Sequence, residues 1–353
     1  MKIRLALFVE DEVYKERFST YFSRYYGDKI ELNTYSDAQY VEKAIQRRKI
    51  DALLLDSATK TEFDKELFET IPVLYLSDGY DDSFDKNDRV IKKYQKAGNI
   101  YKLVLNAVAD MNKLNGFYGD NEKNGKVMLF QGINGGAGAT SVSLAFAYNL
   151  AKKGKSILWL DFEELSCTNV FLNTEGDYGL EDILFALKRK KGNLMLKIES
   201  CLKVSDGIYY FEPCKNATDL VSLKNDEIEE FIATLSQSSK FDYILIDKNM
   251  KLADEDFWIS LVEEVVFVSD GTQVSNMKID VLQKALKRME ETQDLDLLNK
   301  CHIFYNRFSK KTSTSIECDI PTLGGLPKFE MKGSAMELVR VMGNEKVWDN
   351  LTR

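Results

Sequence analysis

The stretch 127–151 contains no charged side chain and is interrupted by Gly132, Gly135, Gly136 and Gly138. It is apolar enough to be buried, yet too broken by glycine to cross a membrane as a helix. The order within it is an apolar run (Val127, Met128, Leu129, Phe130), the loop GINGGAGATS ending at Ser141, and a helical pattern to about residue 153. Gly135, Gly136 and Gly138 free the backbone to turn so that successive N–H groups converge on an anion, and the helix N-terminus adds its dipole. Thr140 stands where a hydroxyl would reach Mg²⁺. The lysine that usually precedes that hydroxyl is missing, and Ala139 takes its place. A tight glycine turn with no ligand would account for the loop alone, so its meaning depends on the rest of the chain.

With 353 residues the chain exceeds what one core usually organises, and two domains are expected. A hydrophobic share of 44% with only 4 prolines rules out wholesale disorder. The net charge of −8 argues against a uniformly basic nucleic-acid surface. Five cysteines, odd in number and with no Cys-x-x-Cys pair, point to a reducing, cytoplasmic compartment. The apolar opening meets Glu10, Asp11 and Glu12 at once, unlike a secretory leader.

Buried-strand patterns at 3–9, 51–55 and 73–76 alternate with amphipathic patterns at 12–25, 37–49 and 100–114. The Gly- and Asn-rich stretch 115–125 reads as a linker. A second series follows, with strand patterns at 126–131, 156–160, 208–211, 243–246, 264–268 and 302–305. The expected fold class is therefore α/β, with two doubly wound parallel-sheet domains at 1–114 and 126–353. In such sheets the C-terminal strand ends share one edge, so Asp161 and Asp247, each closing a strand pattern, are expected beside the glycine loop. Thr140, Asp161 and Asp247 form a magnesium hypothesis.

On these motifs, the region from 126 to about 330 resembles the ParA/MinD family of P-loop ATPases. Asn134, Gly135, Gly136, Ala137, Gly138, Ala139, Thr140 and Ser141 stand where the family's phosphate loop reads Lys-Gly-Gly-x-Gly-Lys-Thr-Thr. Asp161 and Glu163 stand at its Asp-x-Asp, and the 241–247 run ending in Asp247 at its second acidic strand. Asn306 and Arg307 match the strand end that reads adenine, and the segment ending at Pro327 matches the one closing over the base. The resemblance implies ATP and Mg²⁺ as cofactors and Glu163 as the residue orienting the attacking water. Both family lysines are gone, replaced by Asn134 and Ala139, so the resemblance implies weak or no hydrolysis. Lys248 is a candidate replacement charge.

In the first domain Glu10 and Asp11 follow the first strand pattern, Asp56 and Ser77 end later ones, and Lys93 lies near the last. This set resembles a response-regulator receiver, read here as an interaction domain in preference to a phosphorylated switch. A receiver-like domain ahead of a ParA/MinD ATPase without its loop lysine resembles the TadZ/CpaE family of tight-adherence pilus assembly. That resemblance implies a cytoplasmic positioning factor, concentrated at the cell pole, which dimerises and engages pilus secretion proteins. An actively cycling positioning ATPase and a receiver-linked DNA-partitioning or regulatory protein are the alternatives. The basic run at 188–191 reads as a solvated helix end, so no specific nucleic-acid partner is expected.

Overall fold

The computed structural model describes residues 2–63, 69–79, 84–85, 88–111, 124–174, 176, 178–190, 192–330 and 333–351. Apart from residues 124 and 125, the expected linker lies outside the described residues. The chain forms two compact units, Met1–Phe117 with Arg189–Cys201, and Tyr118–Lys188 with Leu202–Arg353.

The first unit runs β1 (Ile3–Phe8), α1 (Glu12–Tyr26), β2 (Ile30–Tyr35), α2 (Ala38–Gln46), β3 (Ala52–Asp56), β4 (Val73–Ser77), β5 (Arg89–Lys92) and α3 (Ala97–Met111). Its five strands are parallel, in the order β2-β1-β3-β4-β5. Strand order reverses between β1 and β3, which makes their C-terminal ends the crevice of this fold. β3 and β4 are buried along their whole length because both faces are covered. Phe18, Phe22, Val104 and Val108 pack one face, and Val41 and Ile45 the other. A helix from far along the chain, Leu194–Cys201, belongs to this unit as well. Its Leu196 enters the core, Lys197 donates to Asp110 at 2.7 Å, and Glu199 accepts from the Tyr101 hydroxyl at 3.2 Å.

The second unit begins with β6 (Lys126–Gly132), α4 (Ala139–Lys152), β7 (Ile157–Asp161), α5 (Thr168–Phe171) and α6 (Leu180–Arg189). After α7, the helix already placed in the first unit, come β8 (Lys203–Ser205), β9 (Ile208–Tyr210), α8 (Thr218–Val221), α9 (Asn225–Gln237), β10 (Tyr243–Asp247) and α10 (Glu255–Leu261). The chain finishes with β11 (Glu264–Ser269), α11 (Gln273–Gln293), β12 (Cys301–Phe308), β13 (Thr322–Pro327) and α12 (Ala335–Met342). The eight strands lie in the order β13-β12-β11-β6-β10-β7-β9-β8, with only β8 antiparallel.

The glycine-loop strand β6 is central, and α4 is packed tightly on the sheet. Phe146 of α4 meets Phe130 and Trp348, and Trp348 stacks on Phe304 at 5.0 Å. The Trp348 indole N–H donates to the Met342 carbonyl at 2.7 Å, so this buried ring keeps its polar atom satisfied. The C-terminal segment thus closes the core that holds the loop helix. Removing such a ring typically costs about 3–5 kcal/mol.

Candidate functional site

Strand register builds the site in the second unit. β10 lies between β6 and β7, pairing Asp247 with Phe130 on one side and with Asp161 on the other. Side chains alternate along a strand, and Leu245 and Trp159, two residues earlier, face the α4 core. Asp247 and Asp161 therefore sit side by side on the α4 face, at the strand ends from which the glycine loop departs.

The loop turns at Gly136 (φ 78°) and Gly138 (φ 87°), the latter capping α4 in a left-handed conformation. Other side chains are strained there. A Cβ at Gly138 would also come within 2.5 Å of Asn306 Nδ2, whereas the space beside Gly135 and Gly136 is open. Asn306 Nδ2 donates to the Ala137 carbonyl at 2.8 Å, and Arg307 Nη1 to the Gly136 carbonyl at 2.9 Å. In a trans peptide the N–H points opposite to its carbonyl, so holding the Ala137 oxygen turns the Gly138 N–H away from β12. Asn306 is buried. Here Asn306 and Arg307 set the shape of the loop.

The two aspartates differ. Asp161 Oδ1 accepts from the Glu163 N–H at 2.9 Å, while Oδ2 accepts from Ser166 Oγ at 2.5 Å and Thr168 Oγ1 at 2.6 Å. Both oxygens are occupied in shaping the turn after β7. Asp247 is 1% exposed, and among the described residues neither carboxylate oxygen has a partner in full hydrogen-bond geometry, the nearby Thr140 hydroxyl giving only a weak contact. Burial holds its carboxyl well above the usual range, with neighbouring Glu163 and then Asp161 adding to the effect and the Thr140 hydroxyl opposing it. Glu163 is itself raised, by burial and by Asp161. A buried carboxylate with empty lone pairs is costly unless it is protonated or meets a cation.

Asp247 and the adjacent Thr140 hydroxyl accordingly fit a hard cation. Among the described residues no three His, Cys, Asp or Glu side chains form a ready-made metal cage. Mg²⁺ needs none, since it is commonly held by one or two carboxylates together with phosphate oxygens and water.

Asn134, at the position of the family's signature lysine, lies 2.8 Å through its Oδ1 from Ser275 Oγ, which is 2.5 Å from Asp270 Oδ1. The loop is thereby fastened to the start of α11. Ala139 supplies no charge, and Lys248 does not replace it. The Lys248 ammonium is buried, donates to the Asn249 carbonyl at 3.0 Å, lies 3.3 Å from Asp254, and sits over the Trp258 ring at 5.2 Å. Following Asp247 directly in the chain, it leaves the backbone toward the α10 side. Ser141 borders the loop at the start of α4, and Pro327 ends β13 exposed to solvent. Cys167, unmarked in the sequence, completes the surroundings of Thr140. Burial pushes its thiol up to about 11, with Glu163, Asp161 and Asp247 contributing and Thr140 opposing.

The receiver-like site of the first unit is closed on itself. Lys93 Nζ donates to Asp56 Oδ2 at 2.8 Å, and both side chains are about nine-tenths buried. The Lys93 N–H donates to the Ser77 carbonyl at 2.8 Å, which fixes Lys93 beside the end of β4, from where its side chain reaches Asp56 at the end of β3, although no proline follows it. Ser77 Oγ accepts from the Gly79 N–H at 3.1 Å. Asp11 Oδ1 accepts from the Tyr14 N–H at 3.0 Å, capping α1, and Glu10 is exposed.

Residues 1–109 match the family described as TadZ-like, receiver domain. A ParA family ATPase from Chlorobium tepidum TLS shares the fold of the second unit at 16% identity and a TM-score of 0.50, covering 65% of this chain and 96% of that one. The Pyrococcus furiosus cell division ATPase MinD has 17% identity and a TM-score of 0.47, covering 65% and 98%. The Pyrococcus horikoshii OT3 septum site-determining protein MinD, solved with Mg-ADP, has 16% identity and a TM-score of 0.45, covering 62% and 94%. No curated protein sequence matches the chain. The molecule is thus a receiver-like domain followed by a ParA/MinD-type P-loop ATPase fold. That order of folds is the one the TadZ/CpaE resemblance implies. Among the described residues no helix is long and apolar enough to cross a membrane.

Proposed function

We propose that the chain is a cytoplasmic, nucleotide-binding assembly and positioning factor of a tight-adherence pilus secretion system. It would bind ATP with Mg²⁺, dimerise in response and hydrolyse slowly or not at all. The observation that carries this reading is the pairing of an open glycine cradle at the α4 N-terminus with the orphaned, buried Asp247 carboxylate. Backbone amides from Gly135 to Thr140 would hold the phosphates, and Thr140 with Asp247 would hold the metal. Bound Mg²⁺ would supply the charge neutralisation that the missing lysines do not.

Asp161 shapes the turn that carries Glu163, and Asn306 with Arg307 keeps the loop in its binding shape. The nucleotide then acts as a conformational ligand, favouring the dimer to the extent that it binds that state better. The first unit docks partners at the cell pole, the placement that the family resemblance implies. The cycling ATPase remains the second reading because Glu163, half-buried with raised proton affinity, is suited to orienting water.

Isothermal titration of the purified chain with ATP, with and without Mg²⁺, tests the first reading. Mg²⁺-dependent binding lost in Asp247→Asn is expected. Equal affinity with and without Mg²⁺ would contradict the metal assignment.

A further inference from the structure

The first unit carries a site that its receiver-like chemistry does not use. Along one side of α1, facing the turn from Lys93 into α3, lies an open cavity of about 1090 Å³. Tyr14, Phe18, Tyr21 and Tyr26 line it from α1, and Tyr94 and Tyr101 from the other wall. Residues 14, 18 and 21 recur at helical spacing on one face, with Tyr25 continuing the row 4.5 Å from Tyr21. The rim of the groove is open to solvent, with Tyr94 70% exposed, Val13 59% and Tyr21 41%, while Phe18 and Tyr101 form its buried floor. Tyrosine is a residue type that dominates recognition surfaces, because its ring is rigid, apolar on its faces and polar at its tip.

Charge gives the groove a sign. Four cations line it, Arg17, Lys93, Lys96 and Lys102, against a single carboxylate, Asp11. Lys93 is neutralised by Asp56, but among the described residues Arg17 and Lys96 have no ion-pair partner. A positive groove in a chain of net charge −8 calls for an anionic occupant. Its size and shape narrow the choice. From Val13 to Tyr26 the α1 wall extends about 20 Å, at roughly 1.5 Å per residue. The cavity is as large as the largest usual small-molecule pockets, about 300–1,000 Å³, and it is an open groove whose long wall is a helix. Four turns of a partner helix would lie along it with apolar residues among the tyrosines and carboxylates against Arg17 and Lys96.

We infer that the α1/α3 groove of the first unit is a docking site for an acidic amphipathic helix of a partner protein. This rests on the docking role proposed above for the first unit and is independent of the nucleotide site in the second. Its failure would leave nucleotide binding untouched.

The test uses the full chain without nucleotide and a fluorescein-labelled 18-residue helical peptide bearing Leu and Phe on one face and Glu on the other. A matched peptide carries Lys in place of Glu. Fluorescence anisotropy is expected to show the acidic peptide binding at least roughly tenfold tighter than the basic one. Arg17→Glu with Lys96→Glu should reverse that preference, and Tyr21→Ser with Tyr94→Ser should weaken acidic-peptide binding roughly tenfold. All four side chains are accessible, so unchanged thermal melting is expected and separates lost docking from lost fold. Absence of acidic-peptide binding, or binding indifferent to both double variants, would overturn the assignment. So would binding of a DNA duplex or of phosphatidylglycerol vesicles, lost in the charge-reversed variant, with no binding of the peptide.

Discussion

Asp56 and Asp247 each end a buried parallel strand at the ligand edge of an α/β sheet, and one lysine separates their fates. In the first unit Lys93 reaches back to Asp56 and closes an ion pair within the domain. In the second, alanine occupies the loop position where such a cation would stand, Lys248 is committed to Asp254 and Trp258, and among the described residues Asp247 is left with no cationic partner. The first site is satisfied by its own chain, while the second is relieved only by a proton or by a cation from outside. Similar sheets therefore end in different sites, one closed by its own lysine and one left open beside the glycine loop.

The contrast is broken most sharply at Lys93. Lys93→Ala leaves a buried carboxylate uncompensated, and a loss of about 3–5 kcal/mol in the stability of the first unit is expected. Chemical denaturation should show it, while titration with Mg-ATP stays unchanged. If Lys93→Ala were neutral, the ion pair would not be what closes this site. At the other aspartate the effect runs in the opposite direction. Asp247→Asn removes an unpaired buried acid, so the nucleotide-free chain should gain about 1–3 kcal/mol, while Mg²⁺ loses its influence on ATP affinity. Melting curves with and without Mg-ATP would read both halves of that prediction.

A smaller change probes the loop clamp. Asn306→Ala deletes the bond to the Ala137 carbonyl and should cost about 1 kcal/mol, with a correspondingly weaker response to ATP. Asp56 offers the gentlest test. With its carboxylate engaged by Lys93, labelling by a small phosphodonor is expected to stay far below one phosphate per chain. Mass spectrometry showing stoichiometric phosphorylation would make the first unit a switch.

How far the sequence reaches differs along the same lines. Strands buried on both faces, such as β1, β3 and β4, announce themselves as apolar runs, and so does β6 with its glycine loop. β2 does not, because only Ile30 of its six residues is buried and the rest alternate at the edge of the sheet. β13 hides for a related reason: at its sheet edge only Leu326 is buried, so the segment reads as a loop. The placement of α7 in the first unit has no local signal, since Lys197 and Glu199 find partners only across more than 80 residues of chain. In the site, the loop and its two aspartates are legible as motif. Which aspartate is spoken for is not, because that depends on Ser166 and Thr168 folding back onto Asp161. The side on which Lys248 lies follows from the turn that brings Asp254 and Trp258 back to it, and the fastening of Asn134 to Ser275 from a contact between distant segments.

The most direct test of the account is a paired measurement of ATP affinity and turnover on the intact chain, with and without Mg²⁺. The account predicts Mg²⁺-dependent binding with turnover slow or undetectable, as a lysine-free cradle backed by an orphaned Asp247 requires. Rapid Mg²⁺-dependent hydrolysis, or no binding in either condition, would contradict it.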